Sequence, residues 1–147
     1  MAAESFTARQ AASITGYKTA MMLDYLCRTG IVIPSIQARP GHGNKRRYSF
    51  GDLVLLKAVR RLLDTGLKVS RLKKSLDTYR KKFNRMKIET VIEKYMVSDG
   101  VHVWFEENKE KLFELTDNGQ MAFAFDMRQT QKEIASKVEQ LRTQKAA

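Results

Sequence analysis

Two groups of side chains in this 147-residue chain have types and spacings suited to chemistry, and both suit a polyanion. The first is Lys18, Met22, Tyr25 and Thr29, spaced 4, 3 and 4 residues apart. That spacing places them on one stripe of a helix. A stripe that starts with Lys and carries Tyr suits a DNA major groove, where the first residues of a docked helix reach base edges. The alternative is an ordinary surface helix. The second group is Arg39, Lys45, Arg46 and Arg47, which flank Pro40-Gly41-His42-Gly43-Asn44. Turn formers between two short extended runs, 36–39 and 46–48, predict a β-hairpin with a basic base. Arg and Lys on such a hairpin suit phosphate oxygens, which dominate DNA affinity and carry no direct sequence information. The alternative here is a solvated basic loop.

Other chemistries lack their residues. Cys27 is the single cysteine, which excludes an internal disulfide and a multi-cysteine metal site. It falls on the inner side of the helix that carries the first group, where a thiol packs as a small apolar side chain. His42 and His102 are remote from each other and have no HxxE or HxxxH context, so no metal ligands are expected. Trp104, Phe105, Phe123 and Phe125 could line a ligand pocket, but an aromatic set in a small sheet reads first as core. There is no Gly-rich phosphate loop and no nucleophile–base pairing. No catalytic residues and no cofactor are expected, and the chain does not read as an enzyme.

Charge separates the two halves. Lys and Arg number 27 against 16 Asp and Glu, a net of +11. Residues 1–87 hold 19 basic and 5 acidic side chains, a net of +14, whereas residues 88–147 hold 8 and 11, a net of −3. A basic front half implies a polyanionic partner, either nucleic acid or an anionic membrane surface. No apolar run approaches the ~20 residues needed to span a bilayer. The first residues, Met1-Ala2-Ala3-Glu4-Ser5, lack the basic-then-apolar shape of a signal peptide. A cytoplasmic protein in a reducing compartment is expected.

The elements that must position these groups can be read in order. Thr7 is a natural N-cap for a first helix, and Gly16 supplies the turn after it. In the next helix Ala20, Leu23, Leu26 and Cys27 form the inner face, predicted to pack on Ala11, Ala12 and Ile14. Gly30 ends that helix as a left-handed cap, and Ile31-Val32-Ile33 runs extended to Pro34. Ser49 and Asp52 form a capping pair for a helix whose Leu53, Leu56, Ala58, Val59, Leu62 and Leu63 are apolar, closed by Gly66. Ser70 is placed to cap a further helix with Leu72, Leu76, Tyr79 and Phe83 on one face and a mainly solvated basic face opposite.

In the second half, Tyr95–Val97 and Val101–Phe105 bracket Asp99-Gly100, a strong hairpin signal. A helix from Asn108 to Leu115 and a strand over Met121–Met127 complete a small β-β-α-β module. Met127, Gln131, Ile134, Val138 and Leu141 then step by 4, 3, 4 and 3, a heptad seam. It is under three heptads long, too short to stand alone in water, and a two-fold partner would stabilise it. The alternative is a frayed tail.

Several runs together resemble one family. They are Phe6-Thr7-Ala8-Arg9-Gln10-Ala11-Ala12, Thr15-Gly16, Leu23-Asp24-Tyr25, Arg28 to Ser35, Arg47 to Leu53 and Leu62 to Leu67. They look like the winged helix-turn-helix of the MerR family of bacterial transcription regulators, over about Phe6 to Leu76. Two departures stand out. The family's Leu-Arg-Tyr is Leu23-Asp24-Tyr25 here, and the span from Gly16 to Gly30 is one residue longer than usual. Cysteines that serve metal sensing in such proteins are absent, so the resemblance is to a short form without that site.

The resemblance implies an α+β, mainly helical fold. A winged helix-turn-helix domain would cover 5–87, the β-β-α-β module 88–127 and a C-terminal dimerisation helix 128–147. The expected DNA contacts are Thr7, Lys18, Thr19, Met22, Tyr25, Arg28, Arg39, Lys45, Arg46 and Arg47. The expected dimer contacts are Met127, Ile134, Val138 and Leu141. The implied partners are double-stranded DNA, a second copy of the chain, and RNA polymerase or another regulator, with no membrane. The implied role is sequence-specific transcription regulation at the bacterial nucleoid. An architectural or recombination-directionality role on DNA is the first alternative. A protein–protein adaptor using the C-terminal module is the second.

Overall fold

The computed structural model describes residues 5–36, 46–74, 95–98, 103–106 and 123–146. They divide into two compact units: Met1–Arg60 with Gln131–Ala147, and Arg61–Thr130. The described residues are mostly helical with a few short strands.

The first unit opens on β1 (Phe6–Thr7) and α1 (Ala8–Thr15). Thr7 caps α1 as expected, and the cap is reciprocal. Thr7 Oγ1 accepts from the Gln10 amide at 3.1 Å, and the Thr7 amide donates to Gln10 Oε1 at 3.0 Å. Two otherwise orphaned amides are thereby satisfied. Gly16 follows at φ 88°, a conformation that L side chains rarely adopt, and its amide closes α1 onto the Ala12 carbonyl.

The second helix, α2, spans Ala20–Arg28. It starts two residues later than the Lys18 stripe suggests, so Lys18 lies in the turn. Leu23 and Leu26 are fully buried, which contributes roughly 1.5–3 kcal/mol each. Ala11, Ala12 and Ile14 on α1 are buried as predicted, while Ala20 and Cys27 are half-buried. The helix ends in a Schellman arrangement. The Gly30 amide donates to the Cys27 carbonyl at 3.0 Å, and the Ile31 amide to the Leu26 carbonyl at 2.9 Å. Gly30 has φ 79°, and Ile31 and Leu26 are both fully buried, which supplies the hydrophobic contact typical of this cap.

β2 (Arg47–Tyr48) pairs antiparallel with β1, in the register Phe6↔Tyr48 and Thr7↔Arg47. Turn chemistry alone predicts a pairing of this run with 36–39. Ile36 is exposed, and residues 37–45, including Arg39 and Lys45, lie outside the described residues. α3 (Phe50–Asp64) carries the expected cap: the Ser49 amide donates to Asp52 Oδ2 at 2.8 Å and the Asp52 amide to Ser49 Oγ at 3.1 Å. Leu53, Val54, Leu56, Ala58, Val59 and Leu62 are buried along it.

In the second unit Gly66 has φ 95° just after α3, and residues 69–74 are helical. This stretch starts one residue before Ser70, so Ser70 is inside it rather than its cap. β3 (Tyr95–Ser98), β4 (Val103–Glu106) and β5 (Phe123–Asp126) form an antiparallel sheet in the order β4-β3-β5. Ser98 pairs with Val103, which brackets the Asp99-Gly100 turn signal. The helix expected at 108–115 lies outside the described residues. Arg61, Phe125 and Thr130 all belong to this second unit and meet within it. The Arg61 guanidinium stands 5.8 Å from the Phe125 ring centroid and donates to Thr130 Oγ1 at 3.0 Å.

α4 (Met127–Ala146) is the last element. Met127, Ile134 and Val138 of the heptad seam are buried within the single chain, and Leu141 is half-buried.

Candidate nucleic-acid interface

The turn between α1 and α2 is built onto α3. Tyr17 is buried and its hydroxyl donates to the Leu56 carbonyl at 2.7 Å. The Arg60 guanidinium donates to the Gly16 carbonyl and lies 5.7 Å from the Tyr17 ring centroid. A Cβ at Gly16 would meet only Lys57 Nζ at 3.7 Å and Arg60 Nη1 at 3.8 Å, ordinary contacts. Glycine is therefore demanded by backbone conformation rather than by space. Together these contacts fix the angle at which α2 leaves the turn.

From that turn outward, Lys18 and Thr19 are exposed, and the Thr19 side chain makes no cap hydrogen bond. Met21 is 79% exposed and Tyr25 40%, one helical turn apart. Met22 is half-buried. Thr29, on the predicted outer stripe, turns its hydroxyl back to the Tyr25 and Leu26 carbonyls at 3.0 and 3.1 Å. Its single proton is shared between these two carbonyls, which also accept the Thr29 and Ile31 amides at the end of α2.

Asp24 gathers two arginines. Arg28 Nε lies 2.9 Å from Asp24 Oδ2, and Arg46 Nη1 donates to Asp24 Oδ1. The hydrogen bond from Arg46 does most to hold the Asp24 carboxyl below the usual carboxylate range, against desolvation, and the charges of Arg46 and Arg28 add to it. Burial works against the Arg46 charge, but Asp24 and Cys27 more than offset it, and its pKa is raised. The neighbouring Arg47 is exposed.

One carboxylate also anchors the segment between α2 and β2. Asp52 Oδ2 accepts from the Ser35 amide at 2.8 Å as well as from the Ser49 amide, and Ser35 Oγ lies 2.8 Å from it. Ser35 and Ser49, fourteen residues apart, are thereby held at one point, with Oγ to Oγ 2.9 Å. The sequence marked Asp52 as a cap, and its reach to Ser35 had no local signal. Met21 was also missed. It stands one helical turn before Tyr25, at the border of the predicted stripe. Of the predicted contacts, the structure brings Lys18, Thr19, Met22, Tyr25 and Arg28 onto or beside α2 and joins Arg46 to it. Thr7 stands at the cap of α1, paired with Arg47 across β1 and β2.

These features define a helix-turn-helix whose second helix is presented to solvent on a fixed turn, with basic side chains beside it. A family model described as MerR HTH family regulatory protein matches residues 6–79, half of the sequence, and the chain belongs to this family of DNA-binding transcription regulators. The chain is 33% identical over 116 residues to uncharacterized HTH-type transcriptional regulators of Mycobacterium bovis and of two strains of Mycobacterium tuberculosis. The match covers 79% of this chain and 50% of each relative, so the chain spans about half the length of the curated relatives it matches. No helix among the described residues is long and apolar enough to cross a membrane.

Proposed function

We propose that the protein is a sequence-specific DNA-binding transcription regulator that works as a homodimer at the bacterial nucleoid. In each protomer α2 enters a major groove, with Lys18 and Met22 nearest the base edges and Tyr25 and Arg28 further along. Residues 36–48 form the wing, and Arg47 with Arg39 and Lys45 grips adjacent backbone phosphate. The observation that carries this reading is the exposed α2 held on the Gly16–Tyr17–Arg60 turn, in a front half with a net charge of +14. Pinning of Ser35 and Ser49 by Asp52 supports a wing with a fixed stem. In this proposal a DNA-binding domain covers 5–87, a β-β-α-β module 88–127 and a dimerisation helix 128–147.

Dimerisation is assigned to α4. Because Met127, Ile134 and Val138 are covered within one chain, pairing along the whole seam requires the partner's helix to take over that packing. Leu141 is the half-exposed member through which pairing starts. RNA polymerase or a second regulator is the further partner.

The test of DNA binding is a salt titration. If about six phosphates are neutralised, affinity for duplex falls on the order of a thousand-fold between ~50 and ~200 mM salt. Arg47→Ala lowers affinity for specific and scrambled duplexes alike and reduces the salt slope by about 1. Binding that does not change over this salt range contradicts the proposal.

A further inference from the structure

Asp24 places a negative charge on the helix proposed to enter the groove. It lies next to Tyr25, on a surface that would face phosphate. Its side chain is 39% exposed, and its carboxylate is occupied on both oxygens. Oδ2 takes Arg28 Nε at 2.9 Å, and Oδ1 takes Arg46 Nη1 from the root of the basic segment. Arg28 is exposed on its own, at 66%, whereas Arg46 is 18% exposed and also interacts with Cys27. Local helix stability does not explain this arrangement well. An exposed i,i+4 pair such as Asp24–Arg28 contributes little in water. The arrangement does resemble a phosphate site already filled. Carboxylate and phosphate oxygens compete for the same charge-assisted guanidinium hydrogen bonds.

We propose that Asp24 is a specificity-determining residue that acts as an internal competitor of DNA phosphate for the guanidinium groups of Arg28 and Arg46. This rests on the DNA-binding function proposed above. Each contact these arginines make with a backbone phosphate is then an exchange for Asp24 rather than a gain from water. Asp24 thereby lowers affinity for every duplex. The reduction falls hardest on scrambled duplex, whose binding energy is almost entirely phosphate contact. Base-edge contacts from elsewhere on α2 are left intact, so the ratio of specific to nonspecific affinity rises.

The experiment compares the full chain with Asp24→Asn, Asp24→Ala and Asp24→Glu on a selected site and on a scrambled duplex, over a salt series. Asp24→Asn removes the negative charge and one of the two acceptor oxygens without changing side-chain size. Asp24→Ala is a second neutral variant with higher helix propensity, so a folding defect in one does not decide the outcome. Both neutral variants should bind scrambled duplex roughly tenfold more tightly, with the salt slope steeper by about one to two. The gain on the selected site should be smaller. Asp24→Glu keeps the charge and should keep the parent slope. Arg28→Gln should cost more affinity in the Asp24→Asn background than in the native one. A purely structural role moves the melting temperature and not the salt slope.

Weaker binding by both neutral variants means that Asp24 positions the arginines for DNA, and the proposal is overturned. Unchanged affinity and slope overturn it as well, with the DNA-binding function intact. If the native chain and the variants all fail to bind duplex, the DNA-binding function fails and this inference falls with it.

Discussion

Replacing Tyr48 by phenylalanine removes one oxygen and leaves the packed ring in place. Tyr48 sits in β2 opposite Phe6, and its side chain has no exposed surface. Among the described residues its hydroxyl is the buried side-chain polar atom without a hydrogen-bond partner. Burying an unmatched hydroxyl costs about 1–3 kcal/mol relative to leaving it in water. Tyr48→Phe removes that cost and keeps the apolar contacts, so the variant should be more stable by about 1 kcal/mol near neutral pH. The gap should widen in alkali. Burial pushes the Tyr48 phenol up to about 12. The unfolded phenol ionises near 10, so the neutral folded form is not penalised below about pH 10. Between about 10 and 12 the unfolded chain ionises first, and stability falls by about 1.4 kcal/mol per pH unit. The phenylalanine variant lacks this loss, while every other tyrosine is common to both chains. Urea unfolding followed by circular dichroism at pH 7 and near pH 11 measures both effects. A destabilised variant at pH 7, or a gap that stays constant in alkali, refutes the reasoning.

Thr7→Ala removes one half of the reciprocal cap on α1 and should cost about 1 kcal/mol by the same unfolding assay. Asp52→Ala removes the shared acceptor of the Ser35 and Ser49 amides. It should cost roughly 1.5–3 kcal/mol and weaken DNA binding, because the proposed wing loses its fixed stem. Leu141→Asp should shift the chain from dimer to monomer in sedimentation without a large loss of stability. Val138→Asp should also destabilise the single chain, because Val138 is buried within it. Equal destabilisation by the two substitutions would place Leu141 in the same packing and the dimer contact elsewhere.

What was legible in the sequence was local. Thr7, Gly16, Gly30 and the Ser49–Asp52 pair act through φ, ψ and hydrogen bonds within a few residues, so residue type alone reports them. The buried face of α2 followed from the spacing of Leu23 and Leu26, β3 and β4 from the apolar runs on either side of Asp99-Gly100, and β5 from the alternation over Met121–Met127. What was not legible depends on residues far apart in the chain. β2 was legible as an extended run at 46–48, but its pairing with β1, Phe6 to Tyr48, was not, since strands of two residues carry no periodicity. Asp24 and Arg28 are one helical turn apart and could be paired by eye, but Arg46 reaches Asp24 from 22 residues away. Tyr17 finds the Leu56 carbonyl 39 residues on, and Arg60 finds Gly16 across 44. The seam of α4 shows the same limit. Spacing identified Ile134 and Val138 as a face to be covered, but it does not say which chain covers it.

Selection of bound sequences from a randomised duplex library, run in parallel with the native chain, Lys18→Ala and Arg47→Ala, tests most directly whether α2 reads DNA. The native chain should enrich a defined site with two-fold symmetry, as two copies of α2 require. Lys18→Ala should relax the preference at one position of each half-site and cost about 1–3 kcal/mol on the native site, as expected if Lys18 bonds a guanine. Arg47→Ala should weaken binding while leaving the enriched sequence unchanged. An enriched sequence that Lys18→Ala leaves intact and Arg47→Ala alters would contradict the assignment of base reading to α2.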